Sequence, residues 1–419
     1  MKSNDSRTYS IIQFIVSVIT ILFLWMAAFL LAALGFLDGL TSGNSLNQAL
    51  PVFMIAAICL FCSFLIIPSA SASFYRLLGR KTFKISLPTF IKRPLVWLLV
   101  FPVVLWAGNL VASSGVAWLG LPILHVFAIA LPVLWILFVS IRGLPAGSLQ
   151  RRWGVFASGL VLGPTLILVA EALALIFLLV IVGLWLSGQP ALAEELSSLT
   201  GWLTSPELSQ DELLNTLAPV LFNPWVLVLA LLFAALIVPL IEELFKPIGV
   251  WLLWGRKLTP AAGFTAGAIS GAGYALFESL ALTMGGESWA IVVMARIGTA
   301  AVHILTSAIT GWALVQAWQK RNYLRLLGAY AFGVLLHGLW NGLAIVSAFA
   351  SLSLLTDQPA EWLAVLKPAE FAPYLVGVLA LISLAALIGL NLKFNAQASK
   401  ELARIDTSML VQPDKNADL

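Results

Sequence analysis

Residues 224–254 read PWVLVLALLFAALIVPLIEELFKPIGVWLLW. The run can cross a bilayer, which takes about 20 apolar residues in a helix. Yet its second half carries Glu242, Glu243 and Lys246. An ionisable side chain at bilayer depth costs about 3 kcal/mol or more unless it is paired or wetted, so such residues mark a functional site by default. Residues three and four apart share a helix face. Lys246 can therefore neutralise one of the two glutamates and leave the other free to act as a base. Pro239 and Pro247 flank the charges and predict a kink whose freed carbonyls need a partner or water. A buried structural ion pair is the plainer reading of the same residues.

The rest of the chain sets this run in context. Of 419 residues, 61% are hydrophobic and 10% charged, with mean hydropathy +1.00; soluble domains carry roughly 25% charged residues. The fold class is therefore all-α, a polytopic transmembrane helical bundle. Ten stretches are apolar enough to be candidate spans: 11–36, 48–70, 94–112, 121–141, 154–187, 224–254, 260–284, 289–317, 326–351 and 373–393. The first exceeds the roughly 7–15 residues of a signal-peptide core and reads as a retained span. With the amino terminus inside, Lys367 alone among the 23 Lys and Arg falls outside, and only Lys246 and Arg296 lie within spans. This asymmetry predicts both termini in the cytoplasm. The basic residues sit in short loops, so the net charge of +4 gives no reason to expect nucleic acid. The external segment 188–222 is acidic, with Glu194, Glu195, Glu207, Asp211 and Glu212, and could hold a short amphipathic helix. Cys59 and Cys62 are the only cysteines; apolar neighbours make them packing residues.

Further polar residues follow the glutamates. Gly263, Gly267 and Gly271 repeat every four residues, a stripe that lets another helix approach closely. It leads to Tyr274 and Glu278, which share a face. Arg296 precedes His303 by two turns, with Thr306 and Thr310 beyond; Arg296 can pair with one of the glutamates, and His303 can carry a proton or bind a metal. His337 and Asn341 are four apart, and both can donate to a developing oxyanion. His125 and Glu171 are isolated in earlier spans. His125 reads as structural, and Glu171 has no assigned role. Three regions follow: an amino-terminal extension over 1–222, a catalytic membrane core over 223–352, and a last span with polar tail over 353–419.

Four pieces in this order resemble the PrsW family of intramembrane proteases, which is related to the CAAX-processing group and to the APH-1 scaffold. They are Glu242-Glu243-Leu244-Phe245-Lys246, the segment Gly271 to Glu278, Arg296 with His303, and His337 with Asn341. Tyr274 stands where the family usually has phenylalanine. The CAAX branch fits less well, because Pro247 and Glu278 stand at its arginine and histidine positions. The likeness spans residues 235–345 and leaves the first five spans unexplained.

The resemblance implies a membrane-embedded protease acting on a membrane-anchored protein, such as an anti-sigma factor, in the cell membrane of a bacterium. Its implied catalytic set is Glu242, Glu243, Glu278, His303, His337 and Asn341, with Lys246 and Arg296 balancing charge. Glutamate chemistry without a cofactor is the expectation. Zinc is the alternative, with Glu243, Glu278, His303 and His337 as candidate ligands, although no HExxH is present. A proton-coupled transporter also suits kinked helices with paired carboxylates, and a non-catalytic membrane scaffold is a third reading.

Overall fold

Proline and glycine shape the helices that matter most here. In the computed structural model the described residues are 7–41, 45–81, 93–188, 218, 222–283, 285–353 and 367–410. Every regular element among them is a helix. Segment 188–222, apart from residues 188, 218 and 222, lies outside the described residues, as do 354–366 and the tail beyond 410.

The elements run α1 (Arg7–Thr41), α2 (Leu50–Leu77), α3 (Pro94–Ala112) and α4 (Ala117–Ile141). The fifth span is α5 (Leu149–Ala157), a π turn (Ser158–Leu162) and α6 (Gly163–Ser187). The sixth is α7 (Pro224–Leu232), a π turn (Phe233–Ile237), α8 (Val238–Phe245) and α9 (Ile248–Trp251). Then come α10 (Pro260–Ala281), α11 (Trp289–Lys320), α12 (Tyr323–Ser353) and α13 (Ala372–Leu410).

Among the described residues, nine spans are long and apolar enough to cross a membrane, so this is a multi-pass membrane protein. The stretch expected at 260–284 is not one of the nine. The reason is its place in the bundle. Helix α10 is buried along almost its whole length from Gly263 to Leu280, so it needs small residues for close packing more than apolarity for lipid. The outer helices do the opposite. Phe23, Met26 and Phe29 of α1, Trp106 of α3, and Phe177 and Leu184 of α6 are exposed, as lipid-facing side chains should be.

The glycine stripe seats α10 on α11. A Cβ on Gly271 would lie 2.6 Å from the Ser307 Cβ and 2.8 Å from the His303 carbonyl; one on Gly263 would lie 2.6 Å from the Gly311 carbonyl, and one on Gly267 would strike the Ser307 carbonyl. The reciprocal Gly311 meets Gly267 in the same way. The opposite face of α10 meets the fifth span, where a Cβ on Gly273 would lie 2.6 Å from the Phe156 carbonyl. Helix α4 is fastened to the same region: Trp289 Nε1 donates to His125 Nδ1 at 3.2 Å, and His125 Nε2 meets the Leu280 carbonyl at 3.2 Å. His125 is thus a structural link between α4, α10 and α11. Cys62 is buried and Cys59 half-buried, both as free thiols in α2. Packing therefore runs across residue 222, and the fourth and fifth spans form part of the wall around α10.

Gly267→Leu is expected to destabilise the bundle by at least about 3 kcal/mol, because backbone rather than a movable side chain fills the space. Gly328 meets nothing within 4 Å, and Gly328→Ala should be neutral or stabilising by up to about 1 kcal/mol. Thermal unfolding of the two variants in detergent checks this contrast.

Candidate active site

The sixth span delivers the glutamates through two proline-driven breaks. Pro239 has no N–H to return to the preceding turn, and a π turn precedes it at Phe233–Ile237. Asn341 of α12 donates to the carbonyl of Ala234 in that turn at 2.9 Å. Tyr330, also on α12, donates to the Leu240 carbonyl at 2.7 Å. Pro247 ends α8, and Ser270 of α10 bridges the break: its hydroxyl donates to the Lys246 carbonyl at 2.6 Å and accepts from Gly249 N at 3.2 Å. The expected kink is present, and three side chains from two other helices satisfy it.

Glu242, Glu243 and Lys246 share one helix face. Lys246 Nζ lies 2.8 Å from Glu243 Oε1 and 2.9 Å from Glu242 Oε2. It also lies 2.7 Å from His303 Nδ1 and 3.1 Å from His337 Nδ1, and 5.0 Å from the Tyr274 ring centre. Lys246 is fully buried. A single ammonium thus joins the EExxK helix to both histidine-bearing helices. The His303 and His337 rings sit edge to face, with centroids 5.0 Å apart, and His337 Nδ1 is 3.2 Å from Glu243 Oε1.

Glu278 forms the next layer. Its carboxylate contacts His303 Nε2 through one oxygen and Arg296 through the other, the latter at 2.8 Å. Arg296 also reaches Ser279 Oγ at 3.3 Å. A carboxylate on Nε2 fixes the ring so that Nε2 carries the hydrogen and Nδ1 presents its lone pair inward, a common way of orienting a functional histidine.

The two glutamates differ. Glu243 is completely buried, held by Lys246 and His337, and packs against Gly333. Glu242 keeps 7% side-chain exposure, and its Oε2 lies 3.8 Å from His337 Nε2. Among the described residues no hydrogen-bond donor is aligned on Oε2 of either glutamate, although Glu242 Oε2 is close to the ammonium. The Tyr274 hydroxyl and the Glu171 carboxyl lie close enough to Glu242 to interact with it electrostatically. Glu171 belongs to α6, and among the described residues its buried Oε1 has no hydrogen-bond partner. This residue had no role in the sequence reading. Only its rarity as an intramembrane acid could have singled it out, because its partner is distant in the chain.

The structure brings together Glu242, Glu243, Lys246, His303 and His337, with Glu278 and Arg296 behind His303. It does not bring Asn341 to them through any hydrogen bond; the Asn341 amide serves the π turn instead. On the far side of Glu243, a groove of about 270 Å³ runs past Thr310, Leu326, Leu327 and Tyr330.

The chemistry of the donor set suits a metal: Glu242, His303 and His337 offer ligand atoms within 4.8 Å of one another, and catalytic zinc takes three such ligands plus water. Of the candidates named from sequence, the two histidines belong to this trio, and Glu242 takes the place given to Glu243 and Glu278. The space does not suit a metal, since Lys246 Nζ already lies within 3.1 Å of an atom on each of the three. With the lysine in this position, the residues do not accommodate one.

Comparison with known proteins agrees with the geometry. Residues 211–367 match the family described as PrsW family intramembrane metalloprotease. No curated protein and no solved structure matches the chain. The matched segment contains all four motifs and excludes Glu171. Over residues 211–367 the chain is similar to the PrsW family, and this match indicates a membrane-embedded peptidase.

Proposed function

We propose that the chain hydrolyses a peptide bond in a membrane-anchored protein with a water molecule activated by Glu242. The observation that carries this reading is the unequal burial of the glutamates: Glu243 is completely buried and held by Lys246 and His337, whereas the Glu242 side chain keeps 7% exposure. Glu242 takes a proton from water as the oxygen attacks the carbonyl carbon. The same proton then passes to the leaving amine as the C–N bond breaks. A preorganised positive charge in a dry site stabilises the oxyanion; Lys246 supplies the charge and His337 Nε2 a nearby donor. Glu278 and Arg296 orient His303, and Asn341 is a positioning residue that holds the bend of the glutamate helix.

The apolar groove beside Glu243 favours a substrate segment that arrives from the bilayer. The family resemblance suggests anti-sigma factors as one such class and the cell membrane as the location, and the Lys and Arg asymmetry of the sequence favours cytoplasmic termini. The test compares cells carrying the wild-type chain with cells carrying His303→Ala, by profiling new protein termini in their membrane fractions. New termini in or beside spans of single-pass proteins, present only with the wild type, are expected. Identical profiles would defeat the proposal.

A further inference from the structure

Lys246 is more heavily partnered than charge balance alone requires. An ammonium has three N–H donors, and four side chains converge on this one within 3.1 Å: two carboxylates and two imidazoles. Because Glu278 engages His303 Nε2, the His303 atom facing the lysine is a lone pair. Carboxylate and imidazole lone pairs aimed at one point are the usual surroundings of a bound divalent cation. We infer that Lys246 is the site's built-in cation: it fills the place a metal would take among Glu242, His303 and His337, so the wild-type chain excludes metal, and removing the ammonium creates a divalent metal site.

The lysine is anchored along its length. Its backbone N–H bonds to the Glu242 carbonyl at 2.8 Å, its own carbonyl accepts from Ser270, and the Tyr274 ring flanks its ammonium. Swinging the side chain aside to admit a metal would strand a buried charge. Removing it has a different result. Glu242 and Glu243 then face each other without compensation, the inward His303 lone pair loses its donor, and His337 Nδ1, released from the ammonium, can present a lone pair of its own. A Zn²⁺ or Co²⁺ ion offsets two negative charges and accepts those lone pairs. The inference rests on distances and charge, whatever reaction the site performs.

The experiment uses the full chain purified in detergent and depleted of metal. Wild type, Lys246→Met and Lys246→Met/His303→Ala are titrated with Co²⁺, followed by visible absorption and by metal content after dialysis. Lys246→Met is expected to retain about one Co²⁺ per chain in a tetrahedral environment, at least about a hundredfold tighter than wild type. The double variant should lose that binding, and Co²⁺ should raise the unfolding temperature of Lys246→Met but not that of the wild type. Tight binding of one ion by the wild type, lost in His303→Ala, would overturn the inference even if the Lys246 variants do not fold. A folded Lys246→Met chain that takes up no metal would overturn it too.

Discussion

Glu242→Gln lowers the rate of substrate cleavage by about 10²–10⁴-fold, the usual contribution of a positioned general base, and leaves the bundle folded. The amide keeps the shape of the carboxylate, and Lys246 retains Glu243 at 2.8 Å as its ion partner. What is lost is the ability to accept a proton at the partly exposed edge of the glutamate pair. Glu243→Gln should behave differently. It weakens contacts to both Lys246 and His337, so it should lower the unfolding temperature as well as the rate. Cleavage of a membrane-anchored substrate in proteoliposomes, measured beside thermal unfolding, separates the two. Equal rates for Glu242→Gln and wild type would remove Glu242 from the base role.

Lys246→Ala is expected to be the most destabilising single substitution in the core, at about 3–5 kcal/mol, because it leaves buried carboxylates unpaired. Removing one partner of a buried ion cluster differs from removing all of it. Replacing the charges together by uncharged groups of similar size is often neutral or stabilising. The triple variant Glu242→Gln/Glu243→Gln/Lys246→Met should therefore regain most of the lost stability while remaining inactive. Unfolding of both variants in detergent tests the electrostatic origin. If the triple variant is as unstable as Lys246→Ala, packing of the lysine chain rather than its charge is what matters.

Much of this site was legible because its signals are local. Glu242, Glu243 and Lys246 are spaced for one helix face, and buried charges stand out in apolar sequence. The glycine stripe foretold a close helix contact, though not that its helix would be the innermost of the bundle; small residues read the same way whether they face one neighbour or three. Asn341 shows the limit of spacing arguments. It shares a face with His337, yet its amide goes to the Ala234 carbonyl, because Pro239 disrupts the ladder there, and a buried carbonyl without a donor is costly. Glu171 shows the other limit. A contact between a residue of α6 and Glu242 depends on how the fifth span packs, and no periodicity within either segment encodes it. The four-way grip on Lys246 is likewise a product of three helices meeting. From sequence it read only as a counter-ion to the glutamates.

Hydrolysis by a Glu242-activated water is tested by reconstitution in H₂¹⁸O. A membrane-anchored protein identified by its new terminus is embedded in vesicles with purified wild-type chain or with Glu242→Gln, and the products are weighed by mass spectrometry. A new carboxyl terminus carrying one oxygen from solvent is expected with the wild type, and intact substrate with Glu242→Gln. Cleavage of the same bond at the wild-type rate by Glu242→Gln, or a product without solvent oxygen, would contradict this mechanism.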